Sequence, residues 1–317
     1  MTSKLISSQK IFIVGVGRSG TSLLQSMLAA HSQIGFLPET GFFRRFIASR
    51  KGEVVSGESF RSKLLDDKKL QRIESLIEHV NAADSKNPAL TFYESLFRAF
   101  PGKACVGDKD PKCIEFLPAI GAIWPDAKIL HIVRDPRDVL CSKKKAAWSK
   151  GRSLFFYLLA GRSQLLLAKK AEACLLESQL FQIHYEHLID SPEDALKPIC
   201  DWLGVRFELD MLEFASAAKK LVANDELEWK KETFGPLLKD NANKWMSELT
   251  AFEIYATELS IFSAMDSIPY EKSLKSSTLN LWKRSAAKLL ALAVCFCAWL
   301  YALKREHTNR KLAQRYA

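Results

Sequence analysis

The stretch Gly15-Val-Gly-Arg-Ser-Gly-Thr-Ser22 directly follows the apolar run Ile11-Phe-Ile-Val14. A short apolar run that ends in a glycine-rich turn and then enters a helical pattern reads as strand, loop and helix. Backbone N–H groups in such a loop, and the helix N-terminus behind it, converge on one point and favour an anion there. A nucleotide-hydrolysing loop of this outline carries Gly-x-x-x-x-Gly-Lys-[Ser/Thr], with the lysine on the β- and γ-phosphates and the hydroxyl on Mg²⁺. Here Gly15 and Gly20 keep the spacing, but Thr21 stands where that lysine would be. Ser19, Thr21 and Ser22 keep the hydroxyls, and the cation is Arg18, inside the loop. The pattern therefore describes an anion site without a triphosphate and its metal.

Further strand candidates are Gln33–Phe36, Ala104–Gly107, Lys128–Val133 and Leu180–Tyr185, each short, apolar and bounded by turn residues. Helical patterns lie between them, over 19–30, 42–50, 60–65, 68–82, 91–100, 114–124, 136–144, 154–178 and 192–203. Strands alternating with helices predict an α/β fold: a parallel sheet of about five strands, covered on both faces. The segment 41–100 reads as a helical insertion. In such sheets ligands sit beyond the carboxyl ends of the strands, so the loops after Val14, Gly107 and Val133 should open on one edge.

The net charge of +10 is unevenly placed. Residues 272–317 carry ten Lys/Arg and one acid, Glu306, which leaves 36 basic and 35 acidic residues in 1–271. A nearly neutral body excludes a general nucleic-acid face, which needs clustered cations on the domain. The seven cysteines are odd in number and without zinc-ligand spacing, so they read as reduced thiols of a cytoplasmic protein. The polar first ten residues fit no signal peptide.

The second motif is Ile129-Leu-His-Ile-Val-Arg-Asp-Pro-Arg-Asp-Val-Leu-Cys-Ser142, followed by Lys143, Lys144 and Lys145. A buried strand delivers Arg134 at its carboxyl end, Pro136 suits the first turn of a helix, and Ser142 follows about two turns on. Arg134 and Ser142 then mark a second anion site, separate from the one at Arg18. Two anion sites without the lysine describe a ligand with two separated anionic ends. The three lysines read as a solvated face, Asp138 as structural, and His131 as a packing residue.

With both motifs in order, the chain resembles the sulfotransferases that use 3′-phosphoadenosine 5′-phosphosulfate (PAPS), the broad group that includes protein-tyrosine and carbohydrate sulfotransferases. The likeness covers about residues 10–260. It also includes Gly107-Asp-Lys-Asp-Pro-Lys112 and Trp124-Pro-Asp-Ala-Lys128. The resemblance implies a P-loop-like sheet and sulfuryl transfer to a hydroxyl or amine, with release of adenosine 3′,5′-bisphosphate and no metal. It implies that Arg18, Ser19, Gly20, Thr21 and Ser22 hold the 5′-phosphosulfate, and that Arg134 and Ser142 hold the 3′-phosphate. It further implies Tyr185 near the nucleotide, Lys109 and Arg18 at the transferred group, and Glu39 as base. Lys239 and Lys244 belong to a segment expected to close over the nucleotide. The protein-tyrosine branch has a basic residue two positions after its glutamate; here that position is Gly41, with Arg44 and Arg45 later, which speaks against a peptide tyrosine. The acceptor is expected to be a small molecule, a lipid or a glycan. A P-loop nucleotide kinase or hydrolase, and a catalytically silent nucleotide-binding scaffold, are the alternatives.

The tail, 271–317, lies outside the likeness, and 1–270 forms the sulfotransferase domain. Leu289–Leu303 is an uncharged run with Lys283, Arg284 and Lys288 before it and Lys304 and Arg305 after it. It is just short of the roughly 17 residues that set the lower limit for a spanning helix. Attachment to the cytoplasmic face of a membrane through 283–305, or docking on the body, are the two expectations.

Overall fold

The computed structural model describes residues 8–48, 58–73, 75–81, 87–221, 234–235, 237–265, 270–273 and 277–317. Five parallel strands form one sheet: β1 (Gln9–Gly15), β2 (Ile34–Phe36), β3 (Cys105–Lys109), β4 (Lys128–Val133) and β5 (Leu180–His184), in the order β2-β3-β1-β4-β5. All five strands match the expected positions. The central strand is buried from Ile11 to Gly15, as an uninterrupted apolar run requires when helices cover both faces. Alternation sends its side chains to two cores. Phe12 and Val14 meet Tyr93, Phe97 and Trp124, with Phe12 stacked on Trp124 at 5.4 Å. Ile11 and Ile13 meet Leu24, Leu28, Ile183 and Ile199. The second core is closed by α1 (Thr21–Ala29) and by residues 192–203.

The described residues of 41–100 form the expected helical insertion, in shorter pieces; 49–57, 74 and 82–86, which include parts of the helices expected over 42–50 and 68–82, lie outside the described residues. A single π-turn, Phe43–Ile47, precedes α2 (Glu58–Leu65), α3 (Leu76–Asn81) and α4 (Pro88–Phe97). Phe42, Phe43, Phe92 and Tyr93 are fully buried against the first core, so the insertion is part of it. After β3 come α5 (Leu117–Ile123), then α6 (Pro136–Lys145) and α7 (Leu154–Glu172). The last of these ends six residues before the expected 178, because Leu175 turns back into the first core where no glycine or proline signals a stop. Next are α8 (Tyr185–Asp190), α9 (Pro192–Leu203), α10 (Ala215–Leu221), α11 (Trp245–Glu248) and α12 (Ala251–Ile261).

The tail is one helix, α13 (Leu281–Tyr316), of 36 residues. Asn280 caps it by accepting from Lys283 N at 3.0 Å. It packs against α7, α12 and α5. Small side chains permit the close approach: Ala287, Ala291, Ala298 and Ala302 are buried along one side.

Candidate active site

The sheet order places β3 and β4 on opposite sides of β1, so their connections run opposite ways and leave a crevice at the carboxyl edge. A cleft of about 320 Å³ occupies it. Of the residues singled out by sequence, Arg18, Gly20, Thr21, Ser22, Glu39, Lys109, Arg134 and Tyr185 line this cleft. Ser19 lies buried behind the loop, and Ser142 reaches it through Arg18.

The loop turns on two left-handed residues. Arg18 has φ +79° and Gly20 has φ +95°, a region costly for residues with a side chain. At Gly20 the freedom is required twice over, because a Cβ there would lie 2.3 Å from Tyr185 Cδ2. The Tyr185 ring thus packs directly on the loop backbone. Arg18 has its side chain turned across the cleft, and its Nε donates to Ser142 Oγ at 2.8 Å. Arg18 and Ser142, expected at two separate sites, are therefore in direct contact.

Arg134 is 7% exposed. Its Nη1 donates to Arg18 O at 3.2 Å and its Nη2 to Asn241 O at 2.5 Å. The guanidinium sits 4.2 Å over the Tyr185 ring, and Tyr185 Oη accepts from Asn241 Nδ2 at 2.7 Å. Arg134 Nε is buried without a hydrogen-bond partner among the described residues. Neither neighbouring carboxylate neutralises Arg134 by hydrogen bonding. Asp135 caps α6 and grips Arg137, which also pairs with Glu258 and lies 3.7 Å over Trp245. Asp138 accepts from Asn243 N at 2.7 Å and Trp245 N at 3.0 Å, and burial raises its pKa. It acts as the structural residue expected, and it pins the segment that carries Asn241.

On the other side of β1, Leu37 N donates to Gly107 O at 2.9 Å. This continues the β2–β3 pairing and brings Glu39 level with Lys109. The two form an ion pair, and Lys109 Nζ also donates to Ser22 Oγ at 3.3 Å. One buried ammonium therefore connects Glu39 to the anion loop. Beneath it, Asp108 accepts from Tyr93 Oη at 2.6 Å, and burial pushes its carboxyl up to about 7 against the lowering effect of that bond. Arg44 Nε donates to Asp110 Oδ2 at 3.0 Å, and Arg45 pairs with Asp67. Gly41, at φ +62°, leaves room for the Arg44 guanidinium, since a Cβ would meet Arg44 Nη2 at 2.8 Å. Neither arginine lines the cleft.

Lys69 and Trp148 line the cleft without a sequence signal, and so does Asn241 as a residue, although the segment around it was expected near the nucleotide. Lys239 and Lys244, the expected members of the late segment, do not line it. The lysine run divides. Lys144 pairs with Glu253 and Lys145 with Glu248, each at 2.6 Å and partly exposed. Lys143 is buried instead of solvated; burial, with Lys112 nearby, lowers its pKa to about 8. His131 is buried in the sheet with both ring nitrogens unpartnered among the described residues, and burial lowers it to about 4. It is a packing residue, as expected.

The chain is similar to known proteins. A putative protein-tyrosine sulfotransferase of Caenorhabditis briggsae is 25% identical over 210 residues, 64% of this chain and 68% of that protein. Protein-tyrosine sulfotransferase 2 of Gallus gallus is 28% identical over 202 residues, 62% of this chain and 51% of its own length. Among solved structures, the sulfotransferase domain from the curacin biosynthetic pathway has the same fold, with a TM-score of 0.57 at 21% identity, covering 86% of this chain and 95% of that one. The family model described as "Sulfotransferase family" matches residues 10–209. That span runs from the central strand through the loop, both cationic arms of the cleft and α9, and it makes this chain a member of the sulfotransferase family.

Proposed function

We propose that the enzyme moves a sulfuryl group from PAPS to a hydroxyl or amine on a small molecule, lipid or glycan, and releases adenosine 3′,5′-bisphosphate. The observation that carries the choice of donor is Arg134. It is a buried guanidinium at the cleft wall whose hydrogen bonds go to two backbone carbonyls and whose Nε has no partner among the described residues. A buried charge of this kind is costly unless paired; among the described residues no carboxylate is hydrogen-bonded to it, and Asp138 acts on it only through space. An anion supplied by the ligand answers that need. The loop provides a second anion site at Ser19, Gly20, Thr21 and Ser22, where backbone N–H groups meet the start of α1. The two sites fit a nucleotide that carries phosphate at both its 3′ and 5′ positions.

The donor brings the sulfuryl group and a phosphate leaving group. Sulfuryl transfer, like phosphoryl transfer, is catalysed mainly by positioning and fixed charge. Arg18 and Lys109 supply that charge; one preorganised donor of this kind is typically worth roughly 3–4 kcal/mol. Glu39 takes the proton of the acceptor, and its pairing with Lys109 holds the carboxylate at the cleft. Arg134 and Ser142 bind the 3′-phosphate, and Tyr185 orients Arg134 by its ring. Residues 1–270 form the catalytic unit, and 283–305 of the tail contact a membrane at its cytoplasmic face. Turnover of PAPS with a panel of phenol, amine, lipid and glycan acceptors tests the reaction. Acceptor-dependent formation of adenosine 3′,5′-bisphosphate that falls about a hundredfold or more in Glu39→Gln supports it. Equal turnover in that variant removes Glu39 as base, and no turnover with any acceptor class removes the reaction.

A further inference from the structure

We propose that the outer face of the C-terminal helix lies flat on an anionic lipid surface, in the plane of the membrane, while its inner face stays docked on the enzyme. This rests on the membrane reading above and fixes its geometry. The helix has two apolar sides. The inner side carries Ala287, Ala291, Val294, Ala298 and Ala302, all buried. It ends in polar anchors at Glu115. Tyr301 Oη donates to Glu115 Oε2 at 2.5 Å, Arg305 pairs with the same oxygen at 2.7 Å, and Asn309 Nδ2 donates to Glu115 O at 3.1 Å. The outer side carries Leu289, Leu292, Phe296, Trp299, Leu300 and Leu303, between 41% and 67% exposed. Their spacing of three and four residues makes one continuous stripe on an α-helix.

The helix is long and apolar enough to cross a membrane by length and composition alone, but its short uncharged run and its docking oppose a spanning orientation. The uncharged run 289–303 is about 22 Å long at 1.5 Å per residue, against a hydrocarbon core of about 30 Å. That same run holds the docked alanines, so crossing the bilayer would strip the helix from α7 and α12 and take Tyr301 and Arg305 from the Glu115 carboxylate, which would keep Gln164. Charge chooses the occupant of the outer stripe. Residues 272–317 carry ten Lys/Arg and a single acid, and the exposed Lys288 and Lys304 bracket the stripe. A second copy packed face to face would bring two such basic tails together. Anionic headgroups complement them, and each cation near such a surface raises partition about fivefold. Trp282, 86% exposed, and Trp299 suit the headgroup layer.

Flotation of the purified full chain with vesicles tests the proposal, using phosphatidylcholine alone and phosphatidylcholine mixed with phosphatidylglycerol. The expected result is binding to the mixed vesicles that falls steeply with salt and is released by alkaline carbonate. Leu292→Glu with Phe296→Glu should lose about tenfold or more of that binding while keeping the melting temperature and the affinity for adenosine 3′,5′-bisphosphate. No flotation with either vesicle would overturn the membrane reading and this geometry together. Flotation that resists alkaline carbonate would keep the membrane reading and overturn the in-plane geometry. A sedimenting dimer that dissociates in the double variant, without vesicle binding, would assign the stripe to a second copy.

Discussion

Gly20→Ala puts one methyl group against the residue that orients Arg134. The backbone at Gly20 has φ +95°, and a non-glycine residue in the left-handed region loses roughly 1–2 kcal/mol. The new Cβ would also lie 2.3 Å from Tyr185 Cδ2 and 2.7 Å from Cε2. Carbon atoms prefer about 3.5–4 Å, so the ring must retreat by more than an ångström. The retreat disturbs a guanidinium stacked at 4.2 Å and a hydrogen bond from Asn241 at 2.7 Å. A desolvated cation–π contact is worth up to about 2 kcal/mol and the hydrogen bond about 1 kcal/mol. Losing half of that sum weakens adenosine 3′,5′-bisphosphate about tenfold, since about 1.4 kcal/mol is a factor of ten. The left-handed strain appears separately, as a melting temperature lowered by about 1.5–3 °C. Calorimetric titration and thermal melting of Gly20→Ala, Tyr185→Ala and the double variant separate the two effects. With the ring gone there is nothing to displace, so the double variant should bind as Tyr185→Ala does. Unchanged binding in Gly20→Ala, or binding losses that simply add in the double variant, would refute the coupling of loop, ring and Arg134.

Four other outcomes follow from the same structure. Asp108 is raised by burial to about 7 from 3.8, so its contribution is full below about pH 4 and is lost as pH rises through 7. Asp108→Asn keeps the acceptor for Tyr93 and should gain stability over the parent between pH 5 and 9, by at most about 4 kcal/mol, read from urea midpoints. His131 is lowered to about 4, so its contribution is present above about pH 6.5 and is lost as pH falls through 4, and His131→Leu should flatten that acid limb by up to about 3 kcal/mol. Asp138→Ala leaves two backbone N–H groups of the 243–245 turn without their acceptor, costing about 1–3 kcal/mol, and should weaken nucleotide binding through Asn241 without altering the loop; unchanged affinity would show that Asn241 is held by other means. Deleting 281–317 uncovers apolar surface on α7 and α12 and should lower the melting temperature and solubility of the remaining chain; a soluble fragment of equal stability would mean that the tail is an independent appendage.

Every strand was readable in the sequence because a strand covered on both faces needs a mostly apolar run: 11–15 is unbroken, and after Lys128 only His131 interrupts 129–133. The anion loop was readable because its glycines sit at positions where the chain has no other choice: at Gly20 even a methyl group collides with Tyr185. Asn241 was not readable. What puts it in the cleft is the pair of backbone N–H groups that Asp138 accepts, a contact more than a hundred residues apart in sequence, whereas the resemblance of the 239–245 segment pointed to its lysines. Lys143 was misjudged for a related reason. Three consecutive lysines look alike in sequence, but a helix turns 100° per residue, so the three point in different directions and Lys143 is the one that falls on the buried face. The tail was only half readable. Its length and apolarity fit both a membrane contact and a docked helix, and the alanine spacing that separates the inner side from the outer has meaning only once α7 and α12 are in place.

The central claim is that the cleft holds a nucleotide by its 3′-phosphate through Arg134. Calorimetric titration with adenosine 3′,5′-bisphosphate and with ADP, on the parent chain and on Arg134→Ala, tests it most directly. The account predicts tight binding of the bisphosphate, weak binding of ADP, and loss of the difference in the variant. ADP binding as well as the bisphosphate, or a preference that survives Arg134→Ala, would contradict it.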